Sequence, residues 1–426
     1  MIQKEVSMSR FRVFLFVFLA LALVAGISAQ ERRPQAKPAP ETKEPPKSTV
    51  VINARLIDGT GASLLENATI VITNKKFEAV GPKDKIEIPK NADIIDAKGR
   101  TVIPGLIDAH QHMANFAPSQ YDTRTKNESL DGFRAAFRLH QYIMVGITTV
   151  KDLLSPNQVS IMAKKAYNEG LFVGARPVVC GEGITSTGGH GAEGSQIVDG
   201  ADAWRQAVRE QLRRGADFIK LLPPYSREEV TAAIEETHAH QKFVSLHSGM
   251  FQGQYDFIRW GIDAGADCVE HAYALPDDVI KKMGEKKVFC VPTVSVLLVI
   301  AQNAVKQGRP APKQHLEGPE IFKKLRAAGV RMAIGTDPVG DNTLLYPGFY
   351  FDEVEFFAAN GYSPMETIVA ATKTGAEVCF AADKYGTIEK GKFGDLLILG
   401  ADPLKDIKAL RNSVQVIVQD GRVIKS

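Results

Sequence analysis

Nine histidines are spread over 426 residues, and several of them close short apolar runs. His110 and His112 fall at the end of VIPGLIDAHQHM, His247 at the end of VSLHS and His271 at the end of VEHA. Asp337 closes IGTD in the same way, and Lys220 stands inside FIKLL. If the runs are strands, residues two apart point to one face, so the imidazoles of His110 and His112 can reach a single cation. Imidazole and carboxylate are the donors a hydrolytic divalent metal takes. Taken singly, a strand-end histidine is more often a hydrogen-bonded structural residue, Asp337 would cap a turn and Lys220 would join a salt bridge. Five metal-ligating side chains and a lysine at one end of five runs are hard to reach by accident.

The other histidines separate from this set. His238 and His240 repeat the two-residue spacing at the end of a helical segment, where residues two apart point to nearly opposite sides. They read as structural or solvated, favoured by the helix C-terminus. His140 lies in a helical pattern and His315 in a polar loop, and neither is assigned a role. His190 belongs to the Gly-rich ITSTGGHGAEG, a candidate for contact with substrate or with the surroundings of a metal. A phosphate cradle is disfavoured there because no Gly-Lys-Ser/Thr follows.

Positioning these residues requires a particular order of elements. Eight strand-like runs, 101–110, 146–153, 177–184, 218–222, 243–248, 268–272, 288–293 and 331–337, alternate with segments of helical spacing such as ADAWRQAVREQLRR. Strands alternating with helices mean parallel βαβ units. Eight units predict an α/β fold of the (β/α)₈ TIM-barrel type over 104–380, with its active site at the C-terminal ends of the strands. Residues 49–103 and 381–426 carry β-branched runs broken by turns. They predict one small discontinuous β-sandwich domain built from both ends of the chain. Segments 112–130, 185–200 and 294–316 exceed usual connections and are candidate lids or pocket walls.

Before residue 49 the chain has a different character. Lys4, Arg10 and Arg12 precede an apolar run from Val13 to Ile27, and Ser28 and Ala29 follow. That order predicts a secretory signal over 1–29, with a periplasmic or secreted product, in preference to an uncleaved anchor. Residues 30–48 are rich in Pro and charge and predict a linker. The formal charge of +3 falls to +1 without the signal, too weak a balance for nucleic-acid binding. Four cysteines do not make a disulfide scaffold. Cys180, Cys268, Cys290 and Cys379 read as buried hydrophobes, with Cys268 and Cys290 the one pair worth testing for a bridge.

With these motifs in hand, the sequence resembles the amidohydrolase superfamily, in its imidazolonepropionase-like and Xaa-Pro dipeptidase-like branch. VIPGLIDAHQHM, TGGHG, DFIKLL, VEHA, IGTD and GTIEKGKFGDLLILGADPL carry the resemblance from Val50 to the C-terminus. It implies that His110, His112 and Asp337 hold one metal, that His247 and His271 hold a second, and that Lys220 bridges them as a carbamate. An ammonium has no lone pair for a cation, which is why CO₂ must add first. The ions implied are two Zn²⁺, with Mn²⁺ or Fe²⁺ as alternatives. Asp337 would be the catalytic base and then the acid in hydrolysis of a C–N bond by metal-activated water.

Two departures bear on the substrate. LLPPYSREE follows Lys220 where many dipeptidase-like members have a turn of small residues, and Ser248-Gly249 follow His247. Tyr225 is the residue of that first segment with a hydroxyl to offer to a pocket, against a packing role. The expected substrates are small molecules, dipeptides of the Xaa-Pro kind or N-acyl amino acids. Cyclic amides, lactones or organophosphates are the alternative, and a metal-containing binding protein without turnover is a remote one. No nucleic acid is expected, no membrane once the signal is cleaved, and homo-oligomerisation is left open.

Overall fold

The computed structural model describes residues 47–114, 128–249, 256–273, 275–339 and 345–426. The expected signal and nearly all of the expected linker lie outside these residues, as does the middle of segment 112–130. No helix among the described residues is long and apolar enough to cross a membrane.

The order begins with five strands, β1 (Thr49–Leu56), β2 (Leu65–Thr73), β3 (Lys76–Pro82), β4 (Asp93–Asp96) and β5 (Thr101–Pro104). Nine short strands follow, β6 (Leu106–Gln111), β7 (Ile147–Asp152), β8 (Arg176–Val179), β9 (Gly183–Thr185), β10 (Ser195–Ile197), β11 (Ile219–Leu221), β12 (Val244–His247), β13 (Cys268–Glu270) and β14 (Phe289–Val291). Most are separated by helices. The chain ends with β15 (Leu396–Leu399), β16 (Val414–Gln419) and β17 (Arg422–Lys425).

Strands from both ends of the chain form one eight-stranded sheet, ordered β17-β16-β15-β5-β1-β2-β3 with β4 also paired to β1. Val51, Ile70, Ile72, Val102, Leu396 and Val418 supply its core, the buried face expected of alternating β-branched residues. The expected first run, 101–110, is divided between two sheets. β5 pairs with β15 in the terminal sheet, while β6 turns away after Gly105 and pairs in parallel with β7. A Cβ on Gly105 would lie 2.8 Å from Thr148 Cβ and closer still to its hydroxyl. Only glycine allows that crossing.

The middle of the chain forms two parallel sheets, β6-β7-β8 and β10-β9-β11-β12-β13-β14. Backbone bonds run beyond them. Asp217 N donates to Val179 O at 2.7 Å, next to β8 and β11, and Ala333 N to Cys290 O at 3.0 Å. Ala109 N donates to Ile334 O at 2.9 Å. The expected eighth run, 331–337, is therefore not a regular strand, yet it hydrogen-bonds to β14 on one side and β6 on the other. Gly335 explains how it fits, since a Cβ there would meet His110 N at 2.7 Å and collide with Val291.

Two expectations about the connections change. Segment 185–200 contains β10, which pairs in parallel with β9. Segment 294–316 is helical, with Val294–Lys306 and Lys313–Leu316 as its helices. Its β-branched composition argues for little helix, but Val294, Val296, Leu297 and Ala301 are buried, and packing overrides propensity. The helix also has a distant cap. Both oxygens of the buried Glu353 carboxylate accept from the backbone N–H groups of Val294 (3.0 Å) and Ser295 (2.7 Å). The four cysteines are buried and free, so Cys268 and Cys290 form no bridge.

Burial pushes the Glu353 carboxyl up to about 7, against the pull of those helix N–H groups. Its folded pKa lies above the unfolded value, so the native state holds its proton more tightly. Stability from this group is greatest at pH 4 and falls as the pH rises to 7, by about 3 kcal/mol at most. Glutamine does not titrate. The stability of wild type relative to Glu353→Gln, measured by urea denaturation, should therefore decline between pH 4 and pH 8. A gap that is constant with pH contradicts this account.

Candidate metal centre

The strand-end residues converge. The Nε2 atoms of His110 and His112, both from the end of β6, lie 3.5 and 3.0 Å from Asp337 Oδ1. Ligand atoms of the three residues all fall within 4.8 Å of one another. The far nitrogens are tied to groups that can only accept. His110 Nδ1 donates to Glu270 Oε2 at 2.8 Å, and His112 Nδ1 to the Leu154 carbonyl at 3.1 Å. When neutral, rings so bonded carry their proton on Nδ1, which leaves the Nε2 lone pairs facing Asp337. Against the effect of burial, Asp337 raises the His112 imidazole, whose protonated form donates from Nε2 to Oδ1.

That arrangement places lone pairs against lone pairs. Asp337 Oδ1 is buried and has no hydrogen-bond partner among the described residues, despite the 3.0 Å approach of His112. Acceptors this close repel unless a proton or a cation lies between them. Two imidazoles and a carboxylate around such a point suit a divalent transition metal. Burial works to raise the Asp337 carboxyl, while positive charge on the facing imidazoles, with a hydrogen bond from protonated His112, pulls it below the usual carboxylate range. A cation between them acts in the same sense.

A second pair adjoins the first. His271 Nε2 and His247 Nδ1 lie 3.0 Å apart. Their outer nitrogens meet hydroxyls, Thr293 Oγ1 at 2.8 Å from His271 Nδ1 and Tyr273 Oη at 2.7 Å from His247 Nε2. Burial, joined by neighbouring positive charge, drives both imidazoles well below their ordinary pKa, so they are neutral with a lone pair to give. The His110 and His271 rings are 4.8 Å apart, which joins the two pairs into one cluster.

Lys220, on β11, is buried, and its Nζ has no hydrogen-bond partner among the described residues. Burial lowers its pKa from the usual lysine value, and Lys151 adds to that while Glu270 and Asp337 oppose it. A buried, orphaned amine of lowered basicity is the form that can add CO₂. The His190 ring lies tilted against that of His247 with centroids 4.3 Å apart, and its backbone N–H bonds Pro223 O. Tyr225 instead packs edge-on against Trp204 and Phe257, at 5.7 and 5.5 Å between ring centroids.

The remaining histidines are bound elsewhere. His238 bonds Asp267, His240 bonds Glu236 and His140 bonds the Val173 carbonyl. His315 is closer to the centre than its sequence context implies, with its ring 5.8 Å from that of Tyr273.

Several residues of the centre were not expected from sequence. They are Glu270 and Lys151 beneath His110, and Thr293 and Tyr273 behind the second pair. Glu270 directly precedes His271, and alternation would send the two to opposite faces. His271 has φ of 75°, a left-handed value that breaks the alternation, and both residues meet His110. Asp337 and Thr293 also have positive φ, 51° and 47°. Such strain in non-glycine residues gathers at functional sites.

Residues 101–424 match the family model described as the amidohydrolase family. An ochratoxinase from Aspergillus niger is 28% identical, the match covering 89% of this chain and 87% of that one. An imidazolonepropionase from Geobacillus kaustophilus is 22% identical over 85% of this chain and 91% of its own. A crystal structure of a Xaa-Pro dipeptidase with bound methionine superposes with a TM-score of 0.78 at 25% identity, covering 89% of this chain and all of the other.

The convergence of donors makes a thermodynamic expectation. Chelator-stripped protein should gain several degrees in Tm when about 100 µM Zn²⁺ is added, because an ion that binds only the folded state stabilises it. His112→Ala removes one donor and should abolish most of the gain, as differential scanning fluorimetry would show. An equal gain in wild type and variant means that the ion binds elsewhere.

Proposed function

Because the chain belongs to the amidohydrolase family, a family of metal-dependent hydrolases of C–N bonds, we propose that it is an exported hydrolase of small amides. The substrates would be dipeptides of the Xaa-Pro kind or N-acyl amino acids. The observation that carries the reading is the convergence of the buried Asp337 Oδ1 with the Nε2 atoms of His110 and His112, at 3.5 and 3.0 Å. We read 104–380 as a closed (β/α)₈ barrel, with 49–103 and 381–426 together forming the companion β domain. We read 1–29 as a cleaved signal and 30–48 as a linker.

In this reading His110, His112 and Asp337 hold one divalent ion, Zn²⁺ by its donor set, and His247 and His271 hold a second. Lys220 adds CO₂ through its neutral amine, loses a proton to solvent, and joins the two sites as a carbamate. Ions bound there would ionise water near neutral pH and polarise the scissile carbonyl. The chain's own groups supply the remaining steps. Asp337, held ionised, takes the proton of the attacking water and passes it to the leaving nitrogen, which departs as a neutral amine. Thr293 and Tyr273 orient the rings of His271 and His247. His190, half-buried with its ring tilted against that of His247, would contact the substrate.

The dipeptide reading draws on the Xaa-Pro dipeptidase likeness, and the likeness to an ochratoxinase favours testing bulkier N-acyl amino acids beside it. A panel of Xaa-Pro dipeptides and N-acyl amino acids, assayed by amine release from metal-loaded protein, should reveal turnover. Hydrolysis of lactones but of no amide would reject the assignment.

Asp337→Asn keeps one ligand oxygen but cannot accept a proton. It should retain bound metal by elemental analysis, while kcat falls about 10²- to 10⁴-fold. Undiminished kcat would remove Asp337 from the proposed mechanism.

A further inference from the structure

Beneath the metal-facing residues lies a chain of buried polar contacts that no step above uses. Lys151, on β7, is fully buried. Its Nζ donates to Ser245 Oγ on β12 at 2.8 Å and to Glu270 Oε1 on β13 at 3.2 Å. The Phe218 ring, just before β11, approaches the same ammonium at 4.7 Å from its centroid. Glu270, also fully buried, turns its other oxygen to His110 Nδ1 at 2.8 Å. One carboxylate thus spans Lys151 and His110, with the Cys268 thiol as a third partner at 3.6 Å from Oε1.

We propose that Lys151 is a positioning residue for the metal centre, acting through Glu270 to hold His110 with its Nε2 lone pair facing Asp337. The geometry carries the argument. An ammonium only donates, so its bond to Oε1 fixes the carboxylate plane and leaves Oε2 as the sole oxygen facing His110. Oε2 accepts from Nδ1–H, and the ring proton stays on the side away from Asp337. Without Lys151 the carboxylate loses its anchor on β7 and β12, and the His110 ring loses its fixed angle. Outer partners of this kind alter metal affinity about 10- to 100-fold. The contact joins four strands of the parallel sheets, so it also ties the angle of His110 to their packing.

This inference rests on the reading of His110 as a metal ligand, and the test separates the two. Removing Lys151 alone leaves a buried unpaired carboxylate, which could unfold the protein. The variant to use is Lys151→Met with Glu270→Gln, a neutral pair of similar volume. The glutamine that replaces Glu270 can offer His110 either a donor or an acceptor, so it no longer dictates the ring proton. The dissociation constant for Zn²⁺ is measured by competition with a fluorescent chelator, beside the Tm of the metal-free protein. Val51→Ala, in the core of the terminal sheet, serves as a control for general destabilisation.

The double variant should bind Zn²⁺ about 10- to 100-fold more weakly than wild type. The Val51→Ala control should lower the metal-free Tm and leave the Zn²⁺ affinity within about threefold. Wild-type affinity in the double variant overturns the role of Lys151. So does equal weakening in both variants, since the effect would then be general. Wild type that binds no Zn²⁺ at all would instead defeat the metal assignment itself.

Discussion

The architecture of the site depends on one buried carboxylate. Glu270 has no solvent to hydrate it, and a carboxylate in that position is costly unless its oxygens are paired. Lys151 and His110 provide the pairing, one to each oxygen, from strands on either side. Burial alone would raise the Glu270 carboxyl, but Lys151 and His110 pull it well below the usual range. The cation that neutralises Glu270 and the imidazole that Glu270 orients are therefore parts of one requirement. Strands β6, β7, β12 and β13 must meet in register before the Lys151–Glu270 ion pair is tolerable.

That requirement gives the two histidine pairs different character. Behind His110 and His112 stand a carboxylate and a backbone carbonyl, which accept and never donate. Behind His271 and His247 stand the hydroxyls of Thr293 and Tyr273, which can do either. The first pair has its protons fixed by the protein, and its lone pairs point at Asp337. In the second pair the inner nitrogens face each other at 3.0 Å, and the hydroxyl partners impose no tautomer. The first pair is pre-organised for a cation, while the second pair adjusts its protons to whatever lies between its rings.

These differences mark what could be read in advance. The two-residue spacing of His110 and His112, and the ends of the runs at His247, His271 and Asp337, were visible because strand geometry is local and periodic. The division of 101–110 at Gly105 was not visible, since both halves are apolar and only Thr148 reveals why the chain must turn there. Glu270 was hidden by its neighbour, because alternation assigns it to the wrong face and the left-handed backbone at His271 cannot be read from VEHA. Lys151 lies in the apolar run GITTVKDL, and nothing in that run shows that β12 and β13 close over it. The helix over 294–306 was hidden for a related reason. Its cap, Glu353, lies more than fifty residues away, and capping signals are recognised only when they are near in sequence.

The left-handed residues lead to the same conclusion from the backbone. His271, Thr293 and Asp337 each hold a conformation that costs a non-glycine residue roughly 1–3 kcal/mol. Aspartate tolerates that region best and the β-branched threonine least, and relaxation of any one would carry its side chain out of the cluster. Each is restrained by neighbours that are themselves buried. The N–H of His271 donates to Val291 O at 2.8 Å, and that of Asp337 to His110 O at 2.9 Å. Glu353 binds the helix that begins just after Thr293. The backbone bond from Asp337 to His110 matters most, because it ties the carboxylate to the strand that carries both facing imidazoles. Gly335 lets that strand come close enough for the bond to form. Ligand geometry at one end of the sheet is thus set by a missing side chain two residues before Asp337. The apolar core supplies the stability that offsets the strain, and the strain keeps Asp337 and His271 turned toward the centre.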